Sequence, residues 1–176
     1  DHEAFRESFA SFVAKEVSPH YLEWEEAGIA PREMYASAGQ YGFVGMAIPE
    51  QYGGGGTDDF RFNAILSEEF NAAGIGGAGL GLTLHNDICT PYFIEYCTDE
   101  QADRWMPGIA SGELITAVAM TEPGTGSHLA GIATTAIRDG HEYVVNGSHT
   151  FITNGIHSDL VIVVARTSDD PHRGLS

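Results

Sequence analysis

A segment at residues 120–127, which we call the hydroxyl loop, carries residue types that can hold a ligand. Its sequence, Met-Thr-Glu-Pro-Gly-Thr-Gly-Ser, contains two glycines, one proline and three hydroxyl side chains. Glycine lets backbone N–H groups approach a ligand closely, proline stiffens the chain, and threonine and serine add neutral donors. The composition suits a phosphate or a carbonyl-rich ring, although an ordinary surface turn has the same composition.

A second segment at residues 151–155, which we call the aromatic segment, has the sequence Phe-Ile-Thr-Asn-Gly. We expect it to close a strand at residues 148–153, in which side chains two positions apart share one face. Phe151 would then lie against a flat ring, and the Thr153 hydroxyl would reach the edge of that ring. Together the two segments predict a site for a flat, carbonyl-rich ligand.

The charge balance excludes several classes of function. The 176 residues include 25 acidic and only 8 basic side chains, for a formal charge of −17. A surface that follows nucleic-acid phosphates needs clustered Lys and Arg, so we predict no nucleic-acid partner.

No apolar run reaches the ~18 residues that span a bilayer, so no membrane span is expected. The two cysteines, Cys89 and Cys97, form no C-x-x-C pair and are predicted to be buried thiols in a reducing compartment.

Other catalytic motifs are incomplete. The glycines near residue 126 do not complete G-x-G-x-x-G, and the single lysine, Lys15, rules out a G-K-S/T phosphate loop. Ser127 and His128 are adjacent, but no G-x-S-x-G elbow surrounds them. No metal site is predicted, and exposed positions are the preferred interpretation of four histidines, namely His128, His141, His149 and His157.

The elements that would position the two segments fall into two blocks. Residues 1–113 show helical spacing of apolar residues, a Thr98–Gln101 capping box and a helix end near Gly112. Beyond residue 114 the period changes to two, with strands predicted at 133–138, 141–145 and 148–153 and a buried strand at 159–166. Type I′ turns are predicted at 139–140 and 146–147.

Helices followed by strands indicate an α+β class, with an all-helical domain at 1–113 and a β domain at 114–176. The chain begins without Met and ends soon after a strand, so we expect it to be partial and its later strands to be missing. The antiparallel, barrel-like β domain would then be incomplete.

A glycine-rich stretch precedes residue 82 and has two interpretations. Five glycines within eight residues are costly in a helix, so we expect a structural or functional reason for their presence. Close helix packing or a flexible loop is one interpretation, and space for an apolar ligand tail is the other. The glycines are Gly74, Gly76, Gly77, Gly79 and Gly81.

The two ligand segments resemble a known family. Residues 119–127 are similar to the T-E-P-x-x-G-S signature of the acyl-CoA dehydrogenases, and residues 146–155 resemble their N-G-x-K-x-W/F-I-T-N-G block. Pro-Glu-Gln-Tyr-Gly-Gly at 49–54 and Trp-Met-Pro at 105–107 also match, so the resemblance covers nearly the whole chain. Two positions depart from the pattern: His128 stands in place of Asp, and His149 in place of Lys.

The resemblance implies a helical domain, a middle β domain and a C-terminal four-helix domain that is absent from this chain. FAD would lie between the last two domains of a homotetramer, which removes the α and β hydrogens of an acyl-CoA and passes electrons to an electron-transfer flavoprotein. The family's catalytic Glu lies outside these residues. The resemblance therefore implies that this chain alone is inactive and holds no catalytic residue.

Carried over by position, Val118, Met120 and Thr121 would meet the flavin ring, and Gly126 and Ser127 would approach the FAD phosphates. Ser127 would also border the acyl-CoA. In the second block, Phe151 and Ile152 would flank the ring and Thr153 would hydrogen-bond its N5 edge.

Two alternatives to a dehydrogenase remain open. One is a noncatalytic subunit that binds acyl-CoA or a partner chain, and the other is an acyl-CoA oxidase with the same fold. A cytoplasmic location is predicted, with the mitochondrial matrix as the alternative.

Overall fold

A computed structural model of the chain describes residues 1–170 and 173–176. These residues form two compact units, unit 1 at Asp1–Thr116 and unit 2 at Ala117–Ser176. Unit 1 is helical and unit 2 contains short strands, so the predicted order of helices before strands is confirmed. Among the described residues, no helix has the length and apolar character needed to cross a bilayer.

Helices account for most of unit 1. They are α1 (His2–Phe12), α2 (Tyr21–Ala27), α3 (Arg32–Gln40), α4 (Arg61–Ala72), α5 (Gly76–Thr83), α6 (Thr90–Tyr96) and α7 (Asp99–Ser111). Short π-helical segments at Val13–Val17 and Leu84–Cys89 continue α1 and α5, and a 3-10 turn covers Glu50–Tyr52.

Aromatic side chains form the centre of unit 1. The apolar spacing in α1 places Phe9 on its inner face, where the side chain is fully buried. Its ring meets Phe43 and Phe70 edge-on, with centroids 4.9 and 5.1 Å apart. Edge-to-face contacts of this kind add to the stabilisation from apolar burial. They hold α1 against α4.

The predicted ends of α7 are confirmed. The Thr98 hydroxyl accepts a hydrogen bond from the Gln101 amide, and the Gln101 side chain accepts one from the Thr98 amide, which is a complete capping box. Gly112 ends the helix in the left-handed region at φ 74°.

The glycine-rich stretch forms helix α5 and packs closely on α4. A Cβ atom added at Gly79 would lie 2.5 Å from Cγ of Phe70, so only glycine fits here. Close helix packing, the first of the two interpretations, therefore accounts for Gly79.

Two polar side chains that follow α5, His85 and Asn86, are buried. His85 is fully buried, its Nε2 donates to the Ile109 carbonyl, and its Nδ1 accepts from the Thr116 amide. Burial lowers the pKa of His85 to about 4, so the imidazole is neutral near pH 7. Asn86 bridges the Gly45 amide and the Phe43 carbonyl. These bonds satisfy polar groups that would be costly to bury alone.

The two cysteines are free. Cys89 is fully buried, and burial raises the pKa of its thiol to about 11. Cys97 is half-buried, so the prediction of buried thiols is confirmed for Cys89 and wrong for Cys97.

Unit 2 contains two small sheets. Strands β1 (Thr116–Ala119) and β4 (Leu160–Val163) pair in one, and β2 (Thr135–Asp139) and β3 (Glu142–Asn146) form an antiparallel hairpin in the other. The strands of the described residues form no closed barrel, in agreement with the expectation of an incomplete β domain.

The first predicted hairpin is present, but its turn is shifted by one residue. Asp139 pairs with Glu142, so the turn residues are Gly140 and His141, not residues 139–140. Only Gly140 of these two has a positive φ, at 62°. The turn is therefore not type I′, which needs a positive φ at both central residues.

The second predicted hairpin is wrong. Residues 148–153 form no strand, and Gly147 lies directly over Thr134, where an added Cβ would be 2.0 Å from the hydroxyl. The glycine thus permits close approach of two chain segments and does not form a turn. The predicted strand at 159–166 is present as the shorter β4, in which Val161 and Val163 are exposed.

Candidate functional site

The hydroxyl loop leaves β1 and turns sharply. The amide of Glu122 donates to the Thr125 carbonyl at 2.9 Å, and the amide of Thr125 donates back to the Glu122 carbonyl at 3.1 Å. The Thr125 hydroxyl then donates to the His128 carbonyl at 2.6 Å. These bonds give the loop a defined shape in the absence of regular secondary structure.

Glu122 anchors this loop to a separate part of unit 2. Its side chain is buried, and its carboxylate accepts hydrogen bonds from the amides of Ala133 at 2.8 Å and Thr134 at 2.7 Å. The neighbouring Thr134 side chain and the Ala133 amide lower the pKa of this carboxyl, while burial acts in the opposite direction. Glu122 therefore holds the hydroxyl loop against the entry to β2.

The aromatic segment lies beside the hydroxyl loop. The amide of Thr150 donates to the Thr121 carbonyl at 2.9 Å, which joins the chain just before Phe151 to the loop. A turn follows, in which the Gly155 amide donates to the Ile152 carbonyl and Asn154 has φ 66°. The two segments predicted to form one site are thus adjacent.

The predicted geometry within the aromatic segment is wrong. Phe151 has φ 57° and its side chain is 91% exposed, so the segment does not alternate between two faces as a strand does. Shared strand geometry therefore does not explain how Phe151 and Thr153 would act together. Their roles as ligand contacts remain predictions.

The structure places the predicted contact residues in three groups. Val118 lies on β1, and Met120 and Thr121 follow it; all three are half-buried. Gly126 and Ser127 are exposed at the far end of the hydroxyl loop. Ile152 and Thr153 are half-buried in the aromatic segment, next to the exposed Phe151. The Thr150–Thr121 hydrogen bond links the first group to the third.

The residues of the hydroxyl loop suit a phosphate-bearing ligand. A Cβ added at Gly124 or Gly126 would meet no atom within 4 Å, so the backbone there is open to an incoming group. Backbone amides in such open loops, together with a serine or threonine hydroxyl, bind phosphate without a positive side chain. The loop therefore offers groups suited to a diphosphate such as that of FAD, the cofactor that the resemblance implies.

His149 departs from its expected exposure. Both of its ring nitrogens are shielded from solvent, and within the described part of the chain neither has a hydrogen-bond partner. No local signal in the sequence indicated this burial; the contact of nearby Gly147 with Thr134 joins residues 13 positions apart.

Arg166 connects the loop that follows the hydroxyl loop to the backbone at Asp170. Its guanidinium donates to the carbonyls of Ala130 at 2.8 Å, Ile132 at 3.2 Å and Asp170 at 3.0 Å. A cavity of about 330 Å³ lies beside it, lined by residues that include Arg138 and Tyr143. The predicted FAD contacts do not line this cavity.

Family models match both parts of the chain. The N-terminal domain of acyl-CoA dehydrogenase matches residues 1–113, and the middle domain of acyl-CoA dehydrogenase matches residues 117–176. The chain therefore belongs to the acyl-CoA dehydrogenase family, as its two ligand segments indicated.

Individual relatives agree with this assignment. The mitochondrial long-chain specific acyl-CoA dehydrogenase of Mus musculus is 45% identical over the whole chain, which covers 41% of that protein. An acyl-CoA dehydrogenase structure from Geobacillus kaustophilus is 49% identical with a TM-score of 0.93, over 99% of this chain and 46% of that one. A Bacillus anthracis acyl-CoA dehydrogenase complexed with FAD is 31% identical with a TM-score of 0.82, over 94% and 29%. The chain thus spans less than half the length of these relatives.

Proposed function

We propose that the protein that contains this chain is an FAD-dependent acyl-CoA dehydrogenase, and that unit 2 supplies part of its flavin site. The observation that carries this proposal is the 2.9 Å hydrogen bond from the Thr150 amide to the Thr121 carbonyl. It brings together the two segments whose sequences match the family's flavin-contact blocks. The FAD-bound relative from Bacillus anthracis supports the same cofactor.

Different residues of unit 2 would contact different parts of FAD. Gly126 and Ser127 would bind the phosphates through open backbone amides and a hydroxyl, and Ser127 would also border the acyl-CoA. Val118, Met120, Phe151 and Ile152 would contact the flavin ring.

The hydroxyl of Thr121 would reach the pyrimidine edge of the flavin, and that of Thr153 the N5 edge. FAD supplies the hydride chemistry of this reaction class, while the protein orients the ring and donates hydrogen bonds to it. Donors held in place before reaction stabilise a ring that becomes anionic on reduction.

An absorption spectrum of the purified protein tests the cofactor directly. We expect flavin bands, and release of FAD on denaturation. After removal of the flavin, titration with FAD should restore the bands at one equivalent per chain. Protein without flavin bands that also fails to bind added FAD would refute the proposal.

We further propose that the substrate is an acyl-CoA, with an electron-transfer flavoprotein as acceptor and a homotetramer as the assembled form. The mammalian relative's long-chain name supports an assay with acyl-CoAs of increasing length. Its mitochondrial name supports the matrix as the location more than the cytoplasm that the sequence suggested.

The 176-residue chain by itself should not oxidise acyl-CoA. In the family the catalytic base lies outside these residues, and a general base contributes about 10²- to 10⁴-fold to rate. Dye reduction that depends on acyl-CoA, measured with the chain free of any longer form, would contradict this. Reduction at the same rate as the intact protein would place the base within the chain.

A further inference from the structure

A cavity in unit 2 lies apart from the predicted FAD contacts. Its volume of about 330 Å³ is within the range that is typical of small-molecule sites. Strand β2, Tyr143 of β3 and residues 166–169 after β4 form its walls. Its charged lining consists of two arginines, Arg138 and Arg166, and one carboxylate, Asp169. Two threonines, one serine and the phenol of Tyr143 add hydroxyl groups.

Neither arginine of the cavity is paired with a carboxylate in the described part of the chain. Arg6 and Arg61 show the contrasting arrangement, since each has a carboxylate oxygen at 2.6 Å. Arg138 and Arg166 form no such ion pair, although the chain holds 25 acidic residues. Two guanidiniums against one carboxylate give the cavity a net positive lining, which favours an anion as its ligand.

Hydrogen bonds to the backbone fix Arg166 without neutralising it. Its guanidinium donates to the carbonyls of Ala130, Ile132 and Asp170 at 2.8, 3.2 and 3.0 Å. A guanidinium has five N–H donors, and these bonds use three of them. Because carbonyl oxygens carry no full charge, Arg166 keeps its positive charge, and its orientation is set before a ligand binds.

Arg138 supplies the second guanidinium from an exposed position on β2. Its Nε donates to the Gly140 carbonyl at 3.2 Å, and its two terminal nitrogens have no hydrogen-bond partner among the described residues. Arg138 lies directly opposite Tyr143 in the hairpin, so the two side chains share one face of the sheet. The Tyr143 hydroxyl is therefore on the face from which Arg138 can bind an anion.

A phosphate monoester matches these groups better than a carboxylate does. It carries a charge of about −1.5 to −2 near pH 7 and offers three oxygens, whereas a carboxylate carries a single charge on two oxygens. Guanidiniums bind phosphate oxygens through pairs of parallel N–H donors. We propose that this cavity binds a phosphate monoester through Arg138 and Arg166. It is a second phosphate site, separate from the hydroxyl loop.

Two sources present a phosphate monoester to the protein. One is the 3′-phosphate of CoA, the carrier of the proposed acyl substrate, and the other is a separate phosphorylated small molecule. The first source rests on the proposed function, whereas the second does not. Three probes distinguish the sources: inorganic phosphate, CoA, and dephospho-CoA, which lacks the monoester.

Calorimetric titration of the intact protein that contains this chain, loaded with FAD, measures the binding of each probe. Arg138→Gln should bind inorganic phosphate about 10-fold more weakly, because a hydrogen bond to a charged group is lost. Arg138→Lys keeps the charge without the paired donors and should have an intermediate affinity. Arg104→Gln, at an exposed position of α7 in unit 1, is the matched control and should bind phosphate as wild type does.

The CoA probes identify the source of the phosphate. If Arg138→Gln weakens the binding of CoA but not of dephospho-CoA, the cavity holds the phosphate of CoA. If it weakens the binding of inorganic phosphate and leaves CoA unaffected, the ligand is a separate phosphorylated molecule.

Two results would overturn the inference. One is equal affinity of wild type and the Arg138 variants for both phosphate and CoA, and the other is a wild-type protein that binds neither probe. Thermal midpoints show whether each variant is folded, and Arg138→Lys decides the question if Arg138→Gln does not fold. Phosphate binding that depends on Arg138 in a protein that binds no FAD would refute the proposed function and leave this inference intact.

Discussion

The amide of Thr150 donates to the carbonyl of Thr121 at 2.9 Å, and this bond joins two segments that are far apart in the sequence. Thr121 lies in the hydroxyl loop, and Thr150 directly precedes the aromatic segment. Glu122 directly follows Thr121, and His149 directly precedes Thr150. Residues on both sides of this contact are therefore the most informative positions for mutation.

Thr153→Val should weaken FAD binding without unfolding the protein. The substitution preserves shape and removes one hydroxyl, and the loss of a hydrogen bond of about 0.5–1.5 kcal/mol corresponds to roughly 2- to 12-fold in affinity. Titration of flavin-free protein with FAD measures this. Thr135→Val on β2 is the matched control and should bind FAD as wild type does. Equal FAD affinities in the two variants would show that the Thr153 hydroxyl does not contact the flavin.

Glu122→Gln should destabilise the protein by about 1–3 kcal/mol. The carboxylate accepts from the amides of Ala133 and Thr134, and a Gln side chain can accept from only one of them while its NH₂ group faces the other. Chemical denaturation gives the free energy of unfolding. The matched control is Glu142→Gln, at an exposed position of β3, which should change it by less than about 0.5 kcal/mol.

Lowering the pH should also change the difference in stability between wild type and Glu122→Gln. The pKa of this carboxyl is lowered in the folded chain, so it stabilises the fold above the ordinary carboxyl pKa. This contribution is lost as the pH falls through the folded pKa. The stability difference between wild type and Glu122→Gln should therefore shrink in acid, and a constant difference would contradict the assigned bonds.

Gly79→Ala should destabilise unit 1, whereas Gly76→Ala should not. A Cβ at Gly79 would lie 2.5 Å from Cγ of Phe70, and overpacking of this kind costs about 1–3 kcal/mol. At Gly76 the nearest atom is Oδ1 of Asn71 at 3.4 Å, so alanine fits and gains up to about 1 kcal/mol of helix propensity. Thermal unfolding of the two variants should shift in opposite directions. Similar shifts would mean that Gly79 does not set the distance between α4 and α5.

The stability of unit 1 should depend on His85 between pH 6.5 and 4. Burial lowers the pKa of His85 to about 4, so in this range the unfolded chain binds a proton that the folded chain does not. Unfolding is then favoured as the pH falls, by up to about 3 kcal/mol at pH 4.

Unfolding free energies measured across this range, in wild type and in His85→Gln, test the assignment. The variant should have a smaller pH dependence, while His141→Gln, at an exposed position, should retain the wild-type slope. Identical slopes in wild type and His85→Gln would show that another group titrates.

The sequence by itself determined the features that depend on neighbouring residues. The change of apolar period separated helices from strands, because each period reflects the geometry of a few consecutive residues. The Thr98–Gln101 capping box was predictable from the sequence for the same reason, since its two hydrogen bonds form within one helical turn. The hydroxyl loop and the aromatic segment were also recognisable as local motifs.

Only the tertiary structure decided how these parts meet. The sequence predicted a strand at 148–153, but Gly147 approaches Thr134, Phe151 takes φ 57°, and the amide of Thr150, just before the aromatic segment, donates to the hydroxyl loop. The bonds of Glu122, the burial of His149 and the contact of Gly79 with Phe70 were likewise not predictable. Each depends on contacts between different helices or loops, and which of these meet depends on packing of the whole unit rather than on local preference.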